Sequence, residues 1–142
     1  MIQRIQTLWL ALAALTGAGI FYFDLYVLRP MDAITIIRLK VADDYLSLVL
    51  ASLMVFLPLV AIFFFRNRKR QKLLIGLEIL CSLLLTGLMI YRVADLVAAY
   101  PGVEGGYQIA ALLPLLVILF SWFAYRGIRH DEKLLRSVDR FR

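Results

Sequence analysis

Glu78 is the acidic residue set well inside an apolar run, and Ser82 and Thr86 follow it at i+4 and i+8. On a helix these three share one face. An ionised carboxylate in a bilayer costs several kcal/mol unless it is paired, hydrated or protonated, so an intramembrane Glu is a functional hypothesis by default. A carboxyl with two hydroxyls in line is the chemistry of a proton or cation path. The structural use of the same residues is simpler. Glu78 stands about 9 Å along the axis from Lys72 and can reach back toward that cation or hydrogen-bond to another helix, with Ser82 and Thr86 as small polar packing residues. No second embedded acid or base accompanies Glu78, as a relay would require.

Other chemistry is sparse. Cys81 and His130 are each single, so a disulfide, a Cys-X-X-Cys knuckle or a conventional zinc or haem site within one chain lacks ligands. Ser47, Ser52, Ser82, Ser121 and Ser137 have no candidate base near them in sequence, and neither a Gly-rich phosphate loop nor paired carboxylates occur. No catalytic residue, metal site or cofactor is expected, and an enzyme is disfavoured.

The elements that must position these residues are dictated by composition. The 142 residues are 63% hydrophobic and 18% charged, with a mean hydropathy of +0.84. Soluble domains lie near about 45–50% and about 25%. A water-soluble globular domain is thereby excluded, and the leftover polar stretches are too short to fold independently. Four apolar runs, residues 5–23, 45–65, 73–90 and 106–125, are each long enough to cross a bilayer core of about 30 Å as helices. The first could be a signal peptide, with Arg4 before it and Ala11, Ala13, Gly17 and Ala18 near a cleavage point. Its continuation through Phe21, Tyr22 and Phe23 points instead to an uncleaved anchor.

The net charge of +6 and pI near 9.8 raise the question of where the cations lie. Of 16 Lys and Arg, twelve are Arg4, Arg66, Arg68, Lys69, Arg70, Lys72, Arg126, Arg129, Lys133, Arg136, Arg140 and Arg142. Arg29, Arg38, Lys40 and Arg92 occupy the opposite segments. By the positive-inside rule both termini and the 66–72 loop face the cytoplasm, while loops 24–44 and 91–105 face outward. Trp9 and Trp122 fall at inner ends, and Tyr22, Tyr45, Tyr91 and Tyr107 at or near outer ends, which agrees. The five cations of the 66–72 loop fit topology setting and contact with anionic lipid, about 1 kcal/mol per basic residue. Without aromatic interleaving or a binding fold they do not indicate nucleic acid.

Within loop 24–44, residues 25–28 and the β-branched stretch 33–41 flank Pro30, which predicts strand, turn and strand, or an interfacial segment, packed as a lid over the helix ends. A receptor or substrate site is the sharper alternative. Pro101, Gly102, Gly105 and Gly106 end a third helix that continues past the membrane through Arg92 and Asp95, three apart and able to pair. Pro58 and Pro114 predict kinks in spans two and four. Ala11, Ala14 and Ala18, with Ala13 and Gly17, form close-approach faces for a helix of this chain or of a second copy. The tail, 126–142, reads as an amphipathic basic helix. Leu134, Val138 and Phe141 are flanked by Lys133, Arg136, Arg140 and Arg142, suited to the inner leaflet or a cytoplasmic partner, and Glu132 can pair with Arg136.

The opening Met1-Ile2-Gln3-Arg4-Ile5-Gln6-Thr7 and the closing Asp131-Glu132-Lys133-Leu134-Leu135-Arg136-Ser137-Val138-Asp139-Arg140-Phe141-Arg142, with four apolar runs and a basic loop between the second and third, resemble a family of short, four-span membrane proteins of unknown function typical of Bacteroidetes. The resemblance implies a bacterial inner-membrane location and brings no activity, cofactor or catalytic residue. The expected fold is an all-α, integral-membrane four-helix bundle, a single domain over 1–142 with an amphipathic cytoplasmic C-terminal helix. The expected role is a non-enzymatic accessory or scaffold protein whose partners are the bilayer, anionic lipids, and other membrane proteins or further copies of itself. The alternative is a small oligomeric transporter or channel using Glu78, Ser82 and Thr86.

Overall fold

The structure is a computed structural model that describes the backbone of residues 2–29 and 36–139 and the side chains of 5–29 and 36–132. Four helices dominate: α1 (Ile2–Gly19), α2 (Tyr45–Phe63), α3 (Arg68–Ala99) and α4 (Leu113–Asp139). Three short strands accompany them, β1 (Tyr26–Arg29), β2 (Ile37–Leu39) and β3 (Glu104–Tyr107). α1 packs on α2 and α4, and α3 packs on the same two, so the helices close into a four-membered bundle. Three of them contain segments long and apolar enough to cross a membrane, Tyr45–Phe63, Arg68–Ala99 and Ile109–Glu132; the apolar part of α1, Ile5–Gly19, is shorter.

The helix starts follow from local chemistry. The Asp44 carboxylate caps α2, accepting from the Ser47 N–H at 2.8 Å and its hydroxyl at 2.9 Å. Those bonds, and more weakly the nearby Arg92, hold its carboxyl below the usual carboxylate range. Asn67 caps α3 in the same way through the Arg70 N–H, at 3.3 Å. α3 therefore begins at Arg68, and four of the five predicted loop cations, Arg68, Lys69, Arg70 and Lys72, lie on its first turns. Cations at the positive end of a helix dipole are unfavourable, so helix stability does not explain the run.

Ala13, Ala51, Ala61 and Ala124 let the helices approach, and Leu10, Met54, Ile75 and Leu85 fill the interior between them, while Leu8, Leu15, Phe56, Phe63, Leu83 and Trp122 face outward, an apolar exterior unlike that of a soluble bundle. Gly17 is buried, and a Cβ there would stand 3.2 Å from Val55 Cγ2, so this close-approach face of α1 seats α2 of the same chain. Pro58 is buried inside α2, where its ring leaves the Met54 carbonyl without the usual helical donor.

One end of the bundle is closed by an antiparallel sheet in the order β2-β1-β3. Tyr26 pairs with both Leu39 and Tyr107, and Leu28 with Gly105. Leu25, Leu28, Leu39 and Val41 point into the core beside Ile20, Met89 and Val93, so the sheet is a lid on the helix ends. Gly105 is required there, since a Cβ would lie 2.6 Å from the Tyr26 ring. Gly102, at φ +84°, makes the preceding turn.

Several expectations are corrected. The fold is not purely α: β1 and β2 form in the two segments read as strands, the turn read between them lying outside the described residues, and β3 adds a strand from a segment read as loop and the start of span four. That helix begins at Leu113, after a short 3-10 turn, because 104–107 is committed to the sheet. Pro114 is thus in the first turn, where its missing N–H has no partner to lose, and causes no mid-helix kink. Arg92 does not pair with Asp95; it donates to the Lys40 carbonyl at 3.3 Å. The ion pairs at this end join Asp24 to Arg38, at 3.4 Å, and Lys40, at 3.6 Å. The tail is no separate helix, since α4 runs unbroken through Gly127 to Asp139. The side chains of Arg4, Lys133, Leu134, Arg136 and Val138, and residues 30–35 and Arg140, Phe141 and Arg142, lie outside the described set.

Candidate functional site

α3 turns one line of residues inward: Gln71, Ile75, Glu78, Ser82, Leu85, Met89 and Val93. The spacing runs in steps of three and four, the seam of a packed helix, and two of its members place hydroxyl and carboxyl groups at mid-bundle. Opposite, α4 buries Val117, Ser121, Ala124, Ile128 and Asp131. Glu78 and Ser121 meet across this seam. The Ser121 hydroxyl lies 2.6 Å from each carboxyl oxygen of Glu78, and both residues are 0% exposed.

Of the three predicted residues, Glu78 and Ser82 are brought to the interior and Thr86 is not. Thr86 is half-buried, and its hydroxyl donates to the Ser82 carbonyl at 2.8 Å, back along its own helix. The Ser82 hydroxyl is buried with no hydrogen-bond partner among the described residues. Ser121 is the member that the sequence reading passed over. The available signal was depth: Glu78 lies six residues after Lys72, and Ser121 lies five before Arg126. On antiparallel neighbours, distances from the basic ends that differ by one residue, about 1.5 Å, mean nearly equal levels.

A polar layer lies nearer the basic end. The Gln6 amide of α1 donates to the Asp131 carboxylate of α4 in a short, buried hydrogen bond. Gly127 makes room for it, because a Cβ there would stand 3.2 Å from Gln6 Cγ. Lys72 reaches Glu132 at 2.7 Å, which ties α3 to α4. Gln71 is buried in the same half. Arg68 Nη1 and Asp131 Oδ1 are buried atoms without hydrogen-bond partners among the described residues. The other predicted lipid-contact residues, Arg66, Lys69 and Arg70, are exposed, and Arg66 sits 6.0 Å over the Phe65 ring.

A serine against a carboxylate is half of a nucleophilic arrangement. Here both groups are enclosed, and the histidine, His130, is exposed further along α4, so the pair links two helices and offers no approach to a reacting atom. Among the described residues no three His, Cys, Asp or Glu side chains gather as metal ligands would. The sequence matches, over residues 2–141, the family described as a domain of unknown function (DUF4293). No curated protein and no solved structure matches it.

Proposed function

The chain belongs to the DUF4293 family, whose description assigns no activity, and from its own residues we propose that it is a non-enzymatic scaffold of a bacterial inner membrane that engages other membrane helices. In this reading all four helices span, with α1 lengthened by the apolar residues 20–23. The end carrying Arg66, Lys69 and Arg70 is cytoplasmic, together with both termini, and the sheet is outside. Support comes from geometry: the Gln6 to Asp131 and Lys72 to Glu132 contacts gather the N-terminal segment, the start of α3 and the tail at one end of the bundle.

Two glycines of α3 carry the scaffold reading. Gly76 and Gly87 are exposed in the helix interior, and a Cβ at either would meet nothing within 4 Å. With Leu80 and Leu83 they form one outward stripe at steps of four, three and four. A helix-interior glycine costs about 1 kcal/mol relative to alanine, and no packing among the described residues requires these two. Close approach of another membrane helix does require them. Tagged protein extracted gently from its native membrane should therefore carry a stoichiometric partner in native mass spectrometry, and G76L/G87L should lose it while the chain itself stays folded. A lone chain before and after mild cross-linking overturns the reading.

The second reading is a small oligomeric transporter or channel. The observation favouring it is the Ser82 hydroxyl, buried without a described partner four residues from Glu78. Glu78→Gln discriminates between the two. Loss of flux at normal expression supports transport; unchanged assembly with the partner supports the scaffold.

A further inference from the structure

We propose that the groove between α1 and α4 at the basic end binds one anionic phospholipid. The proposal rests on the membrane-embedded reading above. The groove has a volume of about 730 Å³ and is open to the surface. Trp9 and Trp122 line it together with Tyr125, Arg126, Arg129 and His130.

Three observations point to this ligand. First, the acids of the same stretch are turned inward: Asp131 is taken by Gln6 and Glu132 by Lys72. Arg126 and Arg129 are exposed and enter no ion pair among the described residues. Secondly, each guanidinium lies over a ring, Arg126 at 5.7 Å from Trp122 and Arg129 at 5.6 Å from Tyr125. The ring face holds the cation near it and leaves guanidinium N–H groups for phosphate oxygens, which they match in a bidentate fork. Thirdly, polarity is ordered along the groove. Toward mid-bundle its wall is aromatic, with Trp9 lying 5.1 Å from Phe123, and the cations begin only where the apolar run ends after Tyr125. An apolar wall leading to paired cations at the interface is complementary to an acyl chain leading to a phosphate. A soluble anion has no use for the aromatic part.

Trp9 and Trp122 are the two tryptophans of the chain, and both line the groove, so intrinsic fluorescence reads this place directly. The full chain would be reconstituted in bilayers in which either phosphatidylglycerol or phosphatidylcholine carries brominated acyl chains. We expect phosphatidylglycerol to quench with an apparent affinity roughly fivefold or more above phosphatidylcholine, the order of one or two cations near an anionic surface. R126Q/R129Q should bring the ratio close to one. R66Q/K69Q, which removes the same charge from the same surface outside the groove, should lower it far less, and R126K/R129K should retain part of it. Equal quenching by the two lipids, or equal loss in R66Q/K69Q, overturns the site. Reversal by millimolar inorganic phosphate at constant ionic strength also overturns it, assigning the cations to a soluble anion. Absence of quenching by either lipid overturns the membrane-embedded reading itself.

Discussion

The two ends of the bundle are held by different kinds of bond. At the sheet end, β1 to β3 join through main-chain hydrogen bonds, and segments distant in sequence meet by register. Toward the basic end, the helices have already used their main-chain groups within themselves. They are linked by side chains: Glu78 to Ser121, Gln6 to Asp131 and Lys72 to Glu132. A connecting segment that leaves a helix must satisfy its freed N–H and C=O groups, and pairing loop with loop does so. A helix carries no such obligation, so only its side chains can set its rotation against a neighbour. The sheet end should accordingly be sensitive to added atoms and the other half to lost partners.

Gly105→Val tests the first half of that contrast and should have the largest effect. Its side chain must displace the Tyr26 ring, which also meets Tyr107 edge-on at 5.1 Å. A cost of about 3 kcal/mol is expected, read as a lowered unfolding midpoint in detergent with faster amide exchange in β1. If exchange in β1 is unchanged, the Tyr26 contact does not hold the sheet.

Ser121→Ala tests the second half. It leaves a fully buried carboxyl without its partner and should cost about 2 kcal/mol, whereas Ser82→Ala removes a hydroxyl with no described partner and should change the midpoint by less than about 0.5 kcal/mol. Adding Glu78→Leu to Ser121→Ala should recover most of the loss, since replacing both partners by apolar groups can be close to neutral. Equal effects of the two serine variants would mean that Glu78 does not depend on Ser121.

Lys72→Met should cost less, under about 1 kcal/mol, because both partners of its ion pair are 24% exposed and solvent screens them. The effect should shrink further with added salt. The smallest change concerns Asp44. Its folded-state carboxyl is held below its ordinary value chiefly by the Ser47 N–H. The stability it contributes is complete above the unfolded value and disappears as pH falls through the folded one. Asp44→Asn keeps a capping oxygen but should flatten the acid limb of the unfolding midpoint against pH. An unaltered limb would show that the cap is not what titrates there.

How much was legible follows from which features are local. The strands read at 25–28 and within 33–41 were legible on either side of Pro30, and appear as β1 and β2, because apolar and β-branched spacing is a property of the segment itself. β3 was not, since Glu104-Gly105-Gly106-Tyr107 has little strand propensity and exists because β1 offers an edge and Tyr26 covers Gly105. The continuation of α3 beyond Arg92 to Ala99 was legible from the absence of Gly and Pro. The unbroken passage of α4 through Gly127 was not, because the helix is supported there by Gln6 of another helix.

Length, apolar patterning and the placement of Lys and Arg determine four apolar helices and a strongly basic end, because helical period and hydropathy are summed over neighbouring residues; all four runs read as spans, whereas three of the helices formed are long and apolar enough to cross a membrane and α1 is shorter. Glu78 was likewise conspicuous by type alone. That it meets Ser121 and leaves the Ser82 hydroxyl without a partner among the described residues, that Asp131 turns to Gln6, and that Arg126 and Arg129 are thereby left facing out over aromatic rings, depends on the depth and rotation of each helix against the next. Those are set by packing between residues far apart in the chain, which only the tertiary structure decides.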